Sequence, residues 1–191
     1  MISLNLIRTF IAIAIPEPAV QKLAGLFALL RAERADVKWV RPEGLHITLK
    51  FLGDVDPGRI GDIGQAIAAA AVRENPLALR LQGFGGFPSL RSPRVFWIGM
   101  EGDTGRLIEL AARIDRGTGS LGFPAEERPF KPHLTIGRVR SAKGLSSVVE
   151  TLQRNMPAFD PFTAGEIRIM KSDLKPAGAE YTVLKSIQLQ G

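Results

Sequence analysis

Two short stretches of this chain hold the residues best suited to chemistry. Residues 41–49 read Arg-Pro-Glu-Gly-Leu-His-Ile-Thr-Leu, and residues 128–136 read Arg-Pro-Phe-Lys-Pro-His-Leu-Thr-Ile. Arginine, proline, histidine and threonine recur in one register, offset by 87 positions both from Arg41 to Arg128 and from His46 to His133. These are the only 2 histidines in the protein. An imidazole titrates near neutrality, so one of a pair can be held neutral as a base while the other is charged as an acid. Thr48 and Thr135, two residues further on, add hydroxyl donors for an oxygen that gains charge during reaction.

Such residues act only if strands position them. His-Ile-Thr-Leu and His-Leu-Thr-Ile each alternate polar and apolar residues with period two, the pattern of a half-buried strand. Histidine and threonine then share an open face, while Ile47, Leu49, Leu134 and Ile136 point into a core. Two copies this far apart indicate a duplicated half-domain rather than a solenoid. If a pseudo-twofold axis relates the halves, the two pairs face each other across one cleft.

Alternation makes a specific statement about residue 138. Positions 135 and 137 share the face of His133, so Arg138 points away unless Gly137 permits a bulge that re-aims the strand. The first copy has Phe51 at the corresponding place, where the same rule favours the core over a base-stacking role. Arg41 and Arg128 each precede a proline and are read as orienting the loop that enters each strand.

The remaining elements are read from pattern and punctuation. Strands are predicted over residues 7–15, 37–40, 45–52, 77–84, 94–100, 133–139, 166–171 and 181–189, the last two closing around Lys175-Pro176-Ala177-Gly178. Helices are predicted over residues 16–35, 56–73 and 146–154, with another opening at Thr104 and running through Ile114. The segment Gly83-Phe84-Gly85-Gly86-Phe87-Pro88 reads as a loop, and residues 117–122 as a turn. Strict strand–helix alternation is missing, so the expected class is α+β, mainly antiparallel, in two similar lobes that make residues 1–191 a single bilobal domain.

Composition bounds the function. With 191 residues, 45% of them hydrophobic, the chain can bury a sizeable core. It has 0 cysteines, which excludes disulfides, thiolate metal sites and a cysteine nucleophile, and fits a reducing cytoplasm. The apolar N-terminus is interrupted by Asn5 and Arg8 and runs into Pro16, and so reads as a strand rather than a signal peptide or membrane span. A net charge of +6 favours a polyanionic partner. Two histidines and two threonines are too few good ligands for zinc, and Glu43 occurs in one copy alone. No phosphate loop ending in Gly-Lys-Ser/Thr occurs, so neither a metal nor a nucleotide cofactor is expected.

The paired motifs, the opening Arg-Thr-Phe-Ile-Ala-Ile, the continuation Leu-Lys-Phe-Leu-Gly and the closing Lys-Ser-Asp-Leu-Lys-Pro-Ala-Gly-Ala-Glu-Tyr together resemble the two-histidine phosphoesterases. Within that superfamily the chain is most similar to the bacterial and archaeal RNA 2′,3′-cyclic phosphodiesterases, also called RNA 2′,5′-ligases. The resemblance implies a metal-independent monomer that opens 2′,3′-cyclic phosphates at RNA 3′ ends, tRNA fragments included, to leave 2′-phosphates, with reverse 2′,5′ ligation as a further possibility. It makes His46 the proton donor to the leaving 3′ oxygen and His133 the acceptor that activates water, and puts Thr48, Thr135 and Arg138 on the phosphate. The nearly symmetric motifs do not themselves assign the two histidine roles. Two other readings are a non-catalytic RNA-binding module stacking bases on Phe84, Phe87 or Trp97, and a phosphodiesterase for small cyclic nucleotides or ADP-ribose cyclic phosphate.

Overall fold

The computed structural model describes residues 5–175 and 178–191. The reading of Met1 to Leu4 as the start of a strand, and of Pro176-Ala177 as a turn, lies outside the described residues. Among the described residues nine strands and four α-helices follow in the order β1 (Ile7–Ala14), α1 (Glu17–Ala32), β2 (Val37–Trp39), β3 (His46–Val55), α2 (Ile60–Ala70), β4 (Leu77–Phe87), β5 (Val95–Gly102), α3 (Thr104–Gly119), β6 (Leu134–Val139), α4 (Leu145–Asn155), β7 (Phe162–Ala164), β8 (Glu166–Lys175) and β9 (Gly178–Gln188).

The strands form two antiparallel sheets, a four-stranded one in the order β3-β1-β8-β9 and a five-stranded one in the order β2-β6-β5-β4-β7. Each sheet draws strands from both halves of the sequence. β8 and β9 return from the C-terminus to complete the sheet that β1 began, and β2 crosses from the first half to pair with β6. The lobes are therefore interleaved, and neither is a sequential half of the chain.

The helices cover one face of the sheets and leave the other open. α1 buries Leu23, Leu26, Phe27 and Leu30, and Phe27 meets Trp39 of β2 edge-on at 6.3 Å. α3 buries Leu107, Leu110 and Ile114, and α2 buries Ile63 and Ile67. One continuous apolar cluster takes in Ile11, Ile47, Phe96, Leu134, Ile136 and Ile169 from both sheets. Lys50, at 1% exposure, lies within this core and forms an ion pair with Asp115 of α3. A lone ammonium there would carry a large desolvation cost, so the pair fixes β3 to α3.

Three sequence expectations give way. The glycine-rich segment from residue 83 is strand as far as Phe87, because the Trp97 ring of β5 lies over Gly85 where no side chain would fit. α3 continues to Gly119 instead of stopping for a turn at 117, with Thr118 donating its hydroxyl to the Ile114 carbonyl at 2.8 Å. The short strand β7 was not anticipated.

Candidate active site

β3 and β6 carry the two motifs and lie beside each other where the sheets meet. Their pairing to the neighbouring strand breaks at equivalent points. On β3, Thr48 faces Ala12 and Lys50 faces Ile11, which leaves Leu49 as an extra residue. On β6, Thr135 faces Trp97 and Gly137 faces Phe96, which leaves Ile136 extra. Each is a β-bulge, two residues against one, and it swings everything beyond it onto the other face.

The bulges decide where residues 51 and 138 lie. Phe51 pairs with Phe10 and Arg138 with Val95, positions that alternate with Ala12 and Trp97 on the neighbouring strands. Both therefore share the open face with histidine and threonine, contrary to simple alternation. Phe51 is 52% exposed rather than part of the core. In β6 the re-aiming is helped by Gly137, whose missing side chain makes room for Trp39 and Val37.

Both imidazoles are held in the same way. His46 Nδ1 is 2.7 Å from the Gly44 carbonyl, and His133 Nδ1 is 2.6 Å from the Lys131 carbonyl, each two residues upstream. A carbonyl can only accept, so Nδ1 carries the proton in both rings and Nε2 is the nitrogen left for exchange. Aromatic side chains fix the ring planes. His46 packs against Phe10 at 4.7 Å and edge-on to Tyr181 at 5.1 Å, and His133 lies edge-on to Phe87 at 5.0 Å with Trp97 at 6.5 Å.

Electrostatics brings the parts together. Burial pushes the pKa of each histidine below its ordinary value, the backbone carbonyl opposes that, and the positive charge of Arg138 lowers it further. The Arg138 charge also reaches the Tyr181 phenol, whose pKa burial raises. A single guanidinium thus acts electrostatically on both imidazoles and on Tyr181. Thr48 and Thr135 are half-buried on the same faces as their histidines. Lys38 of β2 pairs with Arg138 and is exposed.

This doubled arrangement has a counterpart among known proteins. The family model for LigT-like phosphoesterases matches twice, over residues 13–97 and 98–181, with one histidine motif in each match. The chain belongs to the LigT-like phosphoesterase family. It is 33% identical to an RNA 2′,3′-cyclic phosphodiesterase of Thermotoga maritima, over 96% of both chains. It is 34% identical to one of Methanocaldococcus jannaschii, over 93% of this chain and 98% of that one. A solved structure from Thermus thermophilus superposes with a TM-score of 0.76 at 29% identity, covering 96% of this chain and 98% of the other.

Within this LigT-like frame, some contributors to the cleft were missed by the sequence. Phe10 and Tyr181 flank His46, yet their letters only marked them as strand residues. Phe84, Phe87 and Trp97 could not be told apart as base-stacking candidates. The structure separates them, since Phe84 pairs with buried Ile98 and packs on the core, while Phe87 and Trp97 flank His133.

Proposed function

We propose that this protein hydrolyses 2′,3′-cyclic phosphates at RNA ends to 2′-phosphomonoesters, with His46 protonating the departing 3′ oxygen and His133 taking a proton from attacking water. What carries the reading is the shared tautomer. With Nδ1 of each ring tied to the backbone, two Nε2 atoms remain for proton transfer around one guanidinium, as an in-line displacement at phosphorus requires. Arg138 clamps the non-bridging oxygens, and Thr48 and Thr135 donate to them as charge builds. The order of roles is supported by burial: the His133 ring is less deeply buried than that of His46, so water reaches it more readily.

RNA is favoured over a small cyclic nucleotide by the exposed Phe51 and by the basic Lys38 and Lys131 at the rim. The chain acts as one bilobal monomer on cyclic ends, tRNA fragments among them, in a reducing cytoplasm.

The test is incubation of an oligonucleotide bearing a 2′,3′-cyclic phosphate with the protein in EDTA. A 2′-phosphomonoester is expected, since both proton transfers fall to imidazoles and the 3′ oxygen is the one that departs. His46→Ala and His133→Ala should each lower kcat by about 10²–10⁴-fold with an unchanged circular dichroism spectrum. Unimpaired turnover in either variant removes that histidine from the mechanism, and a 3′-phosphate product reverses the assignment of the leaving oxygen.

A further inference from the structure

The bulge at Leu49 has a second effect, on the far side of β3. Lys50 pairs with Ile11, a core residue of β1, so the same extra residue that brings Phe51 to the open face sends the Lys50 ammonium inward, where it is buried. There it meets the carboxylate of Asp115 on α3. The position equivalent to Lys50 in the second copy is Gly137, which has no charge to satisfy.

Stability alone does not account for an ion pair in this place. A buried pair gains little over apolar side chains of similar size, because desolvation offsets the attraction. What apolar atoms lack is direction, and Asp115 uses it twice. Its Oδ1 accepts from Lys50 Nζ and, at 3.2 Å, from the backbone N–H of Glu126. Glu126 belongs to the loop that runs from Phe123 to His133, and its own Oε1 lies 3.4 Å from the Phe51 backbone nitrogen on β3. Beyond the end of β3, Arg59 adds to the grip. Its Nη2 donates to the Leu121 carbonyl at 2.5 Å, and its guanidinium lies 4.7 Å from the centre of the Phe123 ring. Pro129 and Pro132 stiffen the chain between Glu126 and His133, so a shift at Glu126 is carried forward rather than absorbed.

These contacts join the strand bearing His46 to the segment that delivers His133. The two motif strands belong to different sheets, and among the described residues no strand pairing sets one against the other. We propose that Asp115, held by Lys50, is a positioning residue that sets how the two imidazoles stand relative to each other. The proposal rests on the cyclic phosphodiesterase reading and names the device that keeps its acid and base in place. Asp115 acts through the loop and the strand. Its effect is on geometry, where a misplacement of about 1 Å costs on the order of 10²-fold in rate.

The experiment separates position from stability with two variants, each read by Tm and by kcat and KM on an oligonucleotide bearing a 2′,3′-cyclic phosphate. Lys50→Met/Asp115→Leu fills the site with apolar atoms, so Tm should stay near that of the parent. The Glu126 N–H loses its acceptor, so kcat should fall about tenfold or more with KM within about threefold. Asp115→Asn keeps an oxygen for both donors and removes the charge opposite Lys50. It should unfold at a lower temperature and still turn over within about threefold of the parent rate. A purely structural pair predicts the opposite order, with activity following Tm. Rates are taken well below each Tm, so that unfolding does not enter. Parent-like kcat in the double variant overturns the proposal, and so does a loss of about tenfold or more in Asp115→Asn, which decides alone if the double variant does not fold. A parent inert on the cyclic phosphate sinks the phosphodiesterase reading, and the role of Asp115 with it.

Discussion

Arg138 offers the sharpest test, because its two contributions pull observable quantities in different directions. As a phosphate clamp it stabilises the transition state, and losing such a donor costs ~3–4 kcal/mol, or about 10²–10³-fold in rate. As a charge in the cleft it disfavours both imidazolium ions. Arg138→Gln should therefore slow turnover and move both limbs of the pH profile of kcat/KM toward alkaline pH. The movement is bounded. Burial is the largest influence on each ring and outweighs the opposing carbonyl, so the limbs should stay below the ordinary imidazole value of 6.5. Arg138→Lys keeps the charge and loses the planar fork, so it should slow the enzyme while leaving the limbs in place. The two titrations belong to the pair, and both limbs must be followed. The assay is release of phosphomonoester from a cyclic-phosphate oligonucleotide between pH 4.5 and 8.5, a range of about two units either side of an unperturbed imidazole. Limbs that stay put or move toward acid in Arg138→Gln would refute a guanidinium poised between the histidines.

Lys50→Met strands the Asp115 carboxylate and should destabilise the fold by ~3–5 kcal/mol, lowering Tm by roughly 6–20 °C in a chain of this size. Calorimetry checks this, and pairing the change with Asp115→Leu should restore most of the loss. Gly85→Ala drives a methyl group into the Trp97 ring and should cost ~1–3 kcal/mol by denaturant titration, with a matching change in tryptophan fluorescence. Because both histidines have depressed pKa values in the folded state, their stabilising effect is present above 6.5 and is lost as pH falls below it. Tm should drop between pH 7 and 5, and a His46→Gln/His133→Gln double variant should flatten that part of the decline.

The motif strands were legible because their chemistry is spelled in consecutive letters and their two-residue period survives as far as Thr48 and Thr135. Legibility stopped at the bulges. Leu49 and Ile136 each consume a residue without consuming a partner, so counting letters sends Phe51 and Arg138 to the wrong side. The glycines from residue 83 read as a loop, whereas Gly85 is small because a ring from another strand needs the space. The walls of the cleft come from Phe10, Phe87, Trp97 and Tyr181, which are distant in sequence and meet only through sheet pairing. The interleaving of the lobes left no local mark, since a strand's partner is not written in its own composition.

That interleaving also constrains how the protein comes into being. β1 is made first and sits between β3 and β8, while β9, near the end of the chain, closes the same sheet. During synthesis the wall bearing His46 has only its first two strands until the C-terminal hairpin clears the ribosome. A truncated product would expose the flank of β1 and lack the Tyr181 ring that steadies His46. The site thus depends on β8 and β9, and a chain cut short before them carries both motifs without the complete sheet that holds His46.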